Sequence, residues 1–220
     1  MERKTEIEVD EYYHIYNRGV ERRNIFLDKS DRERFLRLLH IANSHKPFVF
    51  RLVRGLPLDK IDVGEKKVAI IAYVLMPNHF HILVKEIIEN GTSEFMEKLL
   101  TGYVMYFNKK YERVGPLFQG TFKATHVDRD EYLKYLFAYI HLNPIKRIES
   151  KWEEQGIRDK KGAERYLKKY RFSSYIDYID VKRTENLILA KDEAPDYFSD
   201  AYEFKDFLRD WLDYKSDQNT

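Results

Sequence analysis

The sequence predicts an α+β fold in which an antiparallel sheet is followed by a mainly helical C-terminal extension. Short segments rich in β-branched and aromatic residues alternate with longer segments that carry apolar residues at helical spacing, and Gly and Pro mark the boundaries. The 220 residues are enough for one domain with an extension. No cysteine is present, which excludes disulfides, thiolate catalysis and cysteine-bound zinc.

The first half of the predicted domain contains a strand, a helix and a hairpin. The alternating segment YYHIYNRG predicts a strand that ends at Gly19. DKSDRERFLRLLHIANSH predicts a helix that Pro47 terminates. The segments KVAIIAYVLM and HFHILVK predict two further strands, joined by a short turn at Pro77–Asn78.

The second half adds a long helix, a strand and another helix. TSEFMEKLLTGYVMYFNKKYER predicts an amphipathic helix, and VGPLFQGTFKATHV predicts a loop that enters a strand. DRDEYLKYLFAYIHLNP predicts a helix that ends at Asn143–Pro144, because the residue before a proline disfavours helix. The order β-α-β-β-α-β followed by a helix indicates a ferredoxin-like core. We predict this domain over residues 1–148 and the extension over residues 149–220.

The extension begins with a basic segment and ends with an acidic one. KWEEQGIRDKKGAERYLKKYRF predicts helical structure before a turn at SSY, and AYEFKDFLRDWL predicts a short amphipathic helix. Residues 192–217 contain nine Asp or Glu and three Lys or Arg. The rest of the chain has 36 Lys or Arg against 28 Asp or Glu, a net charge of +8. A basic body is compatible with nucleic-acid binding but is weak support for it, and the acidic tail has no predicted role.

Two further features concern the location of the protein. No segment contains the 18 or more apolar residues that a membrane span needs, and MERKTEIEVDEYY lacks the apolar core of a signal peptide. We therefore expect a cytoplasmic protein without a membrane partner.

The segment MPNHFHILVKE contains two histidines, His79 and His81, on either side of Phe80. Alternate positions on a strand project to the same face of a sheet, so the two imidazoles would lie side by side. Such a pair can bind a metal ion, although partly buried strand histidines with a structural role are common. The segment alone leaves both interpretations open.

The last helix of the core carries a second set of candidates. One stripe of this helix is apolar and is expected to face the sheet. A neighbouring stripe contains Tyr132, Tyr135, Tyr139 and Asn143, of which the last two lie one turn apart. Two imidazoles and an amide oxygen can bind a divalent ion such as Mg²⁺ or Mn²⁺, which would polarise a phosphodiester for attack by a tyrosine hydroxyl. Tyr132 and Tyr135 are alternative nucleophiles.

Five segments in this order identify a family resemblance: YHIYNRGVERRNIF, AYVLMPNHFHILV, GPLFQGTFKA, YLKYLFAYIHLNP and, more loosely, RFSSYIDYI. With them the chain resembles the single-tyrosine HUH-endonuclease transposases, which include the REP-associated tyrosine transposases, over roughly residues 12–178. The resemblance implies that His79 and His81 are metal ligands and that Asn143 matches the third ligand. It implies that Tyr139 attacks single-stranded DNA to give a 5′-phosphotyrosine and a free 3′-OH.

The implied function is metal-dependent cleavage and strand transfer on single-stranded or hairpin DNA. Whether one chain completes the site or a homodimer does so stays open. One alternative is a domesticated protein that binds or processes DNA hairpins without transposition. Another is a metal phosphodiesterase that uses water and leaves no covalent adduct.

Several polar and basic residues are candidates for DNA contacts, because basic side chains and nearby tyrosines suit phosphate binding and base stacking. The alternative for each is an ordinary solvated position. His126 and His141 are predicted to be structural. The candidates for DNA binding are Asn17, Arg18, Arg22, Arg23, Lys109, Lys110 and Lys123.

Overall fold

A computed structural model describes residues 6–214, and within them the chain forms a four-stranded antiparallel sheet. The strand order is β2-β3-β1-β4, so the first and third strands lie in the middle. With the intervening helices this is the ferredoxin-like arrangement, and the predicted α+β fold class is confirmed. The strands are β1 (Tyr12–Arg18), β2 (Val68–Met76), β3 (His79–Glu86) and β4 (Lys123–His126).

The helices of the core lie on both faces of this sheet. On one face, Phe35 of α1 packs against Phe80 of β3 and Tyr103 of α3, with ring centroids 5.1 and 5.0 Å apart. On the other face, Tyr139 of α4 packs against His81 of β3, with ring centroids 5.3 Å apart. The helices are α1 (Lys29–Ala42), the short α2 (Phe50–Val53), α3 (Gly91–Lys110) and α4 (Asp130–Leu142).

Side chains of β3 alternate between the two faces of the sheet, which places the histidines and Phe80 on opposite faces. Phe80 is fully buried on the α1 and α3 side, as the sequence predicts, and its neighbours His79 and His81 project to the α4 side. Every residue of β2 is buried, because helices cover both faces of that strand. The sheet therefore has an apolar face and a face that combines apolar packing with polar side chains.

The extension continues with short helices. The helical structure predicted from KWEEQGIRDKKGAERYLKKYRF is present as two helices, which are divided at Gly156, whose φ of 73° is incompatible with a continuing helix. The helices here are α5 (Trp152–Gln155), α6 (Lys160–Lys169), α7 (Tyr175–Tyr178) and α8 (Ala201–Tyr214). Short 3₁₀ helices cover Val20–Arg22, Leu58–Lys60, Asn143–Arg147, Thr184–Ile188 and Lys191–Glu193.

The extension also covers the outer edge of β2. The backbone N–H of Leu75 donates to the carbonyl of Phe172, and that of Ser174 donates to the carbonyl of Tyr73, at 2.9 and 3.0 Å. An edge strand with unpaired backbone groups is prone to pair with other chains, so this contact protects the sheet. The Arg183 guanidinium then pairs with the buried carboxylate of Asp177.

Buried side chains on both sides of residue 148, such as Ile145 and Trp152, belong to one hydrophobic cluster. The boundary at residues 148 and 149 stays a prediction. The last part of the acidic tail, residues 215–217, lies outside the described residues. Between residues 6 and 214 no helix combines the length and hydropathy needed to cross a membrane.

Candidate functional site

The turn between β2 and β3 is held by the loop that follows β1, and this fixes the start of β3. The backbone N–H groups of Ile25 and Phe26 both donate to the carbonyl of Pro77, at 2.9 and 3.1 Å. The N–H of Gly19 donates to the carbonyl of Asn78 at 2.8 Å. A Cβ at Gly19 would lie 2.2 Å from the carbonyl oxygen of Arg23, so only glycine permits this close approach. His79 is the first residue after this turn, so its backbone position is fixed by these contacts.

His79 has a defined tautomer. Its Nδ1 lies 2.6 Å from Oδ1 of Asn78, and because that oxygen can only accept, Nδ1 carries the proton. Burial first, and then the positive charge of Lys146, lower the pKa of His79 to about 4, although Asn143 opposes the fall. At neutral pH His79 is therefore uncharged, with a free lone pair on Nε2.

His81 is the second imidazole on this face and is 8% exposed. Its ring centroid lies 5.1 Å from that of His79, with the rings nearly perpendicular. Burial holds the pKa of His81 well below its ordinary value. On the other side, Nδ1 of His81 lies 2.8 Å from Nε2 of His14 on β1.

Tyr139 brings a hydroxyl to the same face. Its ring packs edge-on against His81 and is stacked on Tyr135 with centroids 5.9 Å apart. Nζ of Lys146 donates to the Tyr139 hydroxyl at 3.3 Å and also pairs with Glu153 at 3.0 Å. Tyr132 and Tyr135, the alternative nucleophiles, lie nearer the start of α4, and Tyr135 packs against Trp211 of α8.

Asn143 is the first residue after α4, and its side chain is fully buried. Its carboxamide is close enough to His79 to influence the pKa of that ring. Neither its side-chain oxygen nor its side-chain nitrogen makes a hydrogen bond within residues 6–214. A buried amide without a partner costs free energy, so this position favours a further ligand.

These side chains fit a divalent metal ion by their chemistry. The available donors are Nε2 of His79, the second imidazole His81 and the unpaired carboxamide oxygen of Asn143. Among the described residues no three His, Cys, Asp or Glu side chains are grouped as metal ligands, so an ion here would use two imidazoles and one amide. Such a set leaves coordination positions open for a phosphate.

Two cavities share His81 and Tyr16 in their lining. The cavity that we call the basic cavity has a volume of about 430 Å³ and is lined by Tyr16, Asn17, Arg18, Arg22, Asn78, His79, Phe80, His81, Gln119 and Lys123. The one that we call the aromatic cavity has a volume of about 550 Å³ and is lined by His14, Tyr16, His81, Tyr132, Tyr135, Leu136, Tyr139, Glu153 and Glu154. The candidate nucleophile and one candidate ligand thus line the aromatic cavity, and both histidines line the basic one.

The structure brings four of the seven predicted DNA-binding residues to the basic cavity: Asn17, Arg18, Arg22 and Lys123. Asn17 is 5% exposed, and its amide donates to the carbonyl of Gly120, so it also fixes the loop. Arg18, Arg22 and Lys123 are exposed. The cavity therefore offers three cationic side chains.

The other three candidates, Arg23, Lys109 and Lys110, do not line this cavity. Lys109 and Lys110 lie at the end of α3, on the opposite side of the sheet. Nζ of Lys110 lies 2.7 Å from both Asp28 and Asp31, where it stabilises the N-terminus of α1. Its charge is balanced by these two carboxylates, and its role in DNA binding stays a prediction.

The two histidines that the sequence predicts to be structural, His126 and His141, have partners within the protein. His141 is fully buried, and its ring nitrogens contact the Phe137 carbonyl and the Ser174 hydroxyl, each at 2.8 Å. His126, at the end of β4, contacts Glu11 at 2.9 Å.

Sequence reasoning missed His14, Tyr16 and Lys146. His14 and Tyr16 belong to the alternating segment of β1, and their position two apart signals a shared face. Their closeness to His81 depends on the pairing of Tyr16 with His81 between β1 and β3, for which the sequence gives no direct signal. Lys146 lies three residues after Asn143, in a turn that folds back on Tyr139.

The middle of the chain matches a known protein family. Residues 62–143 match the family described as "Transposase IS200 like". Over these residues the chain is similar to IS200-like transposases. The matched part of the chain contains His79, His81, Tyr139 and Asn143, whereas His14 and the extension lie outside it. The resemblance to transposases is confirmed, and the roles of individual residues stay predictions.

No curated protein matches this chain. Among solved structures, it is similar to a REP-associated tyrosine transposase bound to a REP hairpin, with 14% identity, a TM-score of 0.49, and coverage of 84% of this chain and 90% of that one. A bacterial tRNA(His) guanylyltransferase-like protein in complex with ATP matches with 13% identity, a TM-score of 0.37, and coverage of 76% and 70%.

Proposed function

We propose that this protein is a transposase, a metal-dependent endonuclease and strand transferase that cuts single-stranded DNA through a covalent bond to Tyr139. The proposal is carried by one observation, the arrangement of groups around two neutral imidazoles. Tyr139 packs against His81, and the unpaired amide of Asn143 is close to His79. A pure binding protein needs no such combination, and a hydrolase that uses water needs no tyrosine there.

In the proposed reaction the hydroxyl oxygen of Tyr139 attacks the phosphorus of a phosphodiester. The bond to the 3′ oxygen breaks, the phenol loses its proton, and the leaving oxygen gains one to become a 3′-OH. The 5′-phosphotyrosine that remains conserves the bond energy, so a second 3′-OH can displace Tyr139 and rejoin DNA without ATP. Lys146, which already contacts the hydroxyl, would stabilise negative charge on the phenol oxygen.

His79, His81 and Asn143 would bind the metal ion, Mg²⁺ or Mn²⁺. When bound, such an ion supplies a positive charge that polarises the phosphodiester and stabilises the charge of the transition state. The chain itself keeps both imidazoles neutral by burial and keeps the proton of His79 on Nδ1. These features leave Nε2 of His79 with a lone pair for the metal ion.

The proposed substrate is single-stranded DNA or the unpaired part of a hairpin. A base in a duplex hides its stacking face, whereas an unpaired base can stack on an aromatic ring such as Tyr135 or Tyr132, which line the aromatic cavity. The cations of the basic cavity would contact phosphates. A domesticated role in processing repeats would use the same chemistry.

The experiment that tests the proposed function is a search for the covalent intermediate. The full chain is incubated with single-stranded DNA from the flanks of its own gene, with Mg²⁺ or Mn²⁺, and resolved on a denaturing gel. We expect a protein band shifted by bound DNA, with the adduct mapped to a tyrosine by mass spectrometry. Cleavage without an adduct would instead support the water-dependent phosphodiesterase, and binding without cleavage would support the domesticated binder.

The basic cavity gives a second prediction, on DNA affinity. Replacing both Arg18 and Arg22 by Gln is expected to weaken DNA binding and to reduce its salt dependence. Each lost phosphate contact lowers the slope of log K against log salt by about 0.7 for single strands. The matched control is Lys109→Gln, which removes an exposed cation on the other side of the sheet. Equal effects of both changes in fluorescence-anisotropy titrations would show that the basic cavity does not bind the phosphates.

A further inference from the structure

His14 contacts His81 but is not one of the proposed metal ligands, so the proposed function leaves this contact unexplained. The two residues lie on neighbouring strands, and both project to the face that carries Tyr139. Their rings are stacked with centroids 5.0 Å apart, and Nε2 of His14 is 2.8 Å from Nδ1 of His81. Both side chains are 8% exposed, so water does not compete strongly for this hydrogen bond.

A contact of 2.8 Å between two ring nitrogens requires that one of them carries a proton and the other a lone pair. One arrangement has Nδ1–H of His81 donating to Nε2 of His14, which leaves Nε2 of His81 with a lone pair. In the other arrangement His14 donates, and the neutral His81 then carries its own proton on Nε2, where it cannot bind a metal ion.

We propose that His14 is a positioning residue that accepts the Nδ1–H of His81 and so keeps Nε2 of His81 available as a metal ligand. This inference rests on the proposed function, because it concerns the same metal site. His79 offers a parallel within the structure, since Asn78 accepts its Nδ1–H and leaves its Nε2 free. A partner on the second ring nitrogen fixes the tautomer and the orientation of a ligating histidine.

The position of His14 also argues against a direct role. Its Nε2 is occupied by His81, and its ring packs against Tyr16 with centroids 4.8 Å apart. Tyr139, the proposed nucleophile, contacts His81 and Lys146. His14 thus acts on the reaction through His81.

The test compares Mn²⁺ affinity among variants by electron paramagnetic resonance, with the fold of each checked by circular dichroism. His14→Phe keeps an aromatic ring but removes the acceptor, and we expect it to weaken Mn²⁺ binding by about 10- to 100-fold. His14→Gln offers a side-chain oxygen near the position of Nε2, so it is expected to restore most of the affinity. The control His126→Phe removes another histidine of the sheet and should leave affinity unchanged.

A second measurement needs no substitution. In ¹⁵N-labelled wild-type protein loaded with diamagnetic Mg²⁺, long-range ¹H–¹⁵N spectra should show the His81 proton on Nδ1 and the His14 proton on Nδ1. This result decides the matter even when a His14 variant does not fold. A His81 proton on Nε2 in the loaded protein overturns the inference.

The possible failures can be told apart. A wild-type chain that binds Mn²⁺ and forms the tyrosine adduct, together with a folded His14→Phe variant of equal Mn²⁺ affinity, overturns the role of His14 and leaves the proposed function intact. A wild-type chain that neither binds Mn²⁺ nor forms an adduct overturns both.

Discussion

Replacement of Tyr139 by Phe is expected to abolish the covalent protein–DNA adduct and DNA cleavage while leaving DNA binding nearly intact. The phenyl ring has no oxygen to attack phosphorus, but it can keep the contacts with His81 and Tyr135. The hydrogen bond lost with Lys146 lies within the protein, and the missing hydroxyl could remove at most one hydrogen bond to DNA, on the order of 1 kcal/mol, so the dissociation constant should change by about fivefold or less. Denaturing gels measure the adduct, and anisotropy titrations measure binding.

The matched controls for this prediction are Tyr132→Phe and Tyr135→Phe, which remove a hydroxyl from the same aromatic cavity. Both should still form the adduct. If Tyr139→Phe cleaves single-stranded DNA at the wild-type rate and one of the controls does not, the nucleophile is that other tyrosine. If all three variants cleave normally, water is the nucleophile.

The second large effect is expected from the histidine pair. Replacing both His79 and His81 by Ala should remove Mn²⁺ binding and slow adduct formation by about 10³-fold or more, because a metal ion contributes several kcal/mol to the stabilisation of transition-state charge. Treatment of the wild-type chain with EDTA should cause the same loss, and added Mg²⁺ or Mn²⁺ should reverse it only in the wild type. Isothermal titration with Mn²⁺ and single-turnover gels provide the measurements.

The matched control for the double variant is His126→Ala, which removes a histidine that contacts Glu11 at the end of β4. It should bind Mn²⁺ and form the adduct as the wild type does. A wild-type chain that forms the adduct equally fast in EDTA would refute metal dependence without affecting the assignment of Tyr139.

Local patterns predicted much of the fold because they report short-range constraints. The apolar run of β2, the turn at Pro77–Asn78 and the stop of α4 before Pro144 each follow from neighbouring residues, and each occurs in the structure. The interruption at Gly156 was missed, because a single glycine within a helical pattern is compatible with either outcome until the backbone conformation is known.

The DNA-contact candidates show where sequence reasoning fails. Arg22 and Lys110 look alike as exposed cations in a basic segment, yet Arg22 lines the basic cavity and Lys110 is paired with Asp28 and Asp31. The difference depends on which side of the sheet each element covers. Composition and spacing carry no information about that.

The sequence by itself determined that His79 and His81 share a face and that Tyr139 and Asn143 lie one turn apart, because the periods of strand and helix fix the directions of nearby side chains. Tertiary structure alone decided that His14 contacts His81, that Asn78 orients His79, and that Lys146 meets Tyr139. The contact between His14 and His81 depends on the register between β1 and β3. The contact between Lys146 and Tyr139 depends on how the chain after α4 folds back on that helix. They are set by packing between residues distant in sequence or by the path of a turn, which no local period describes.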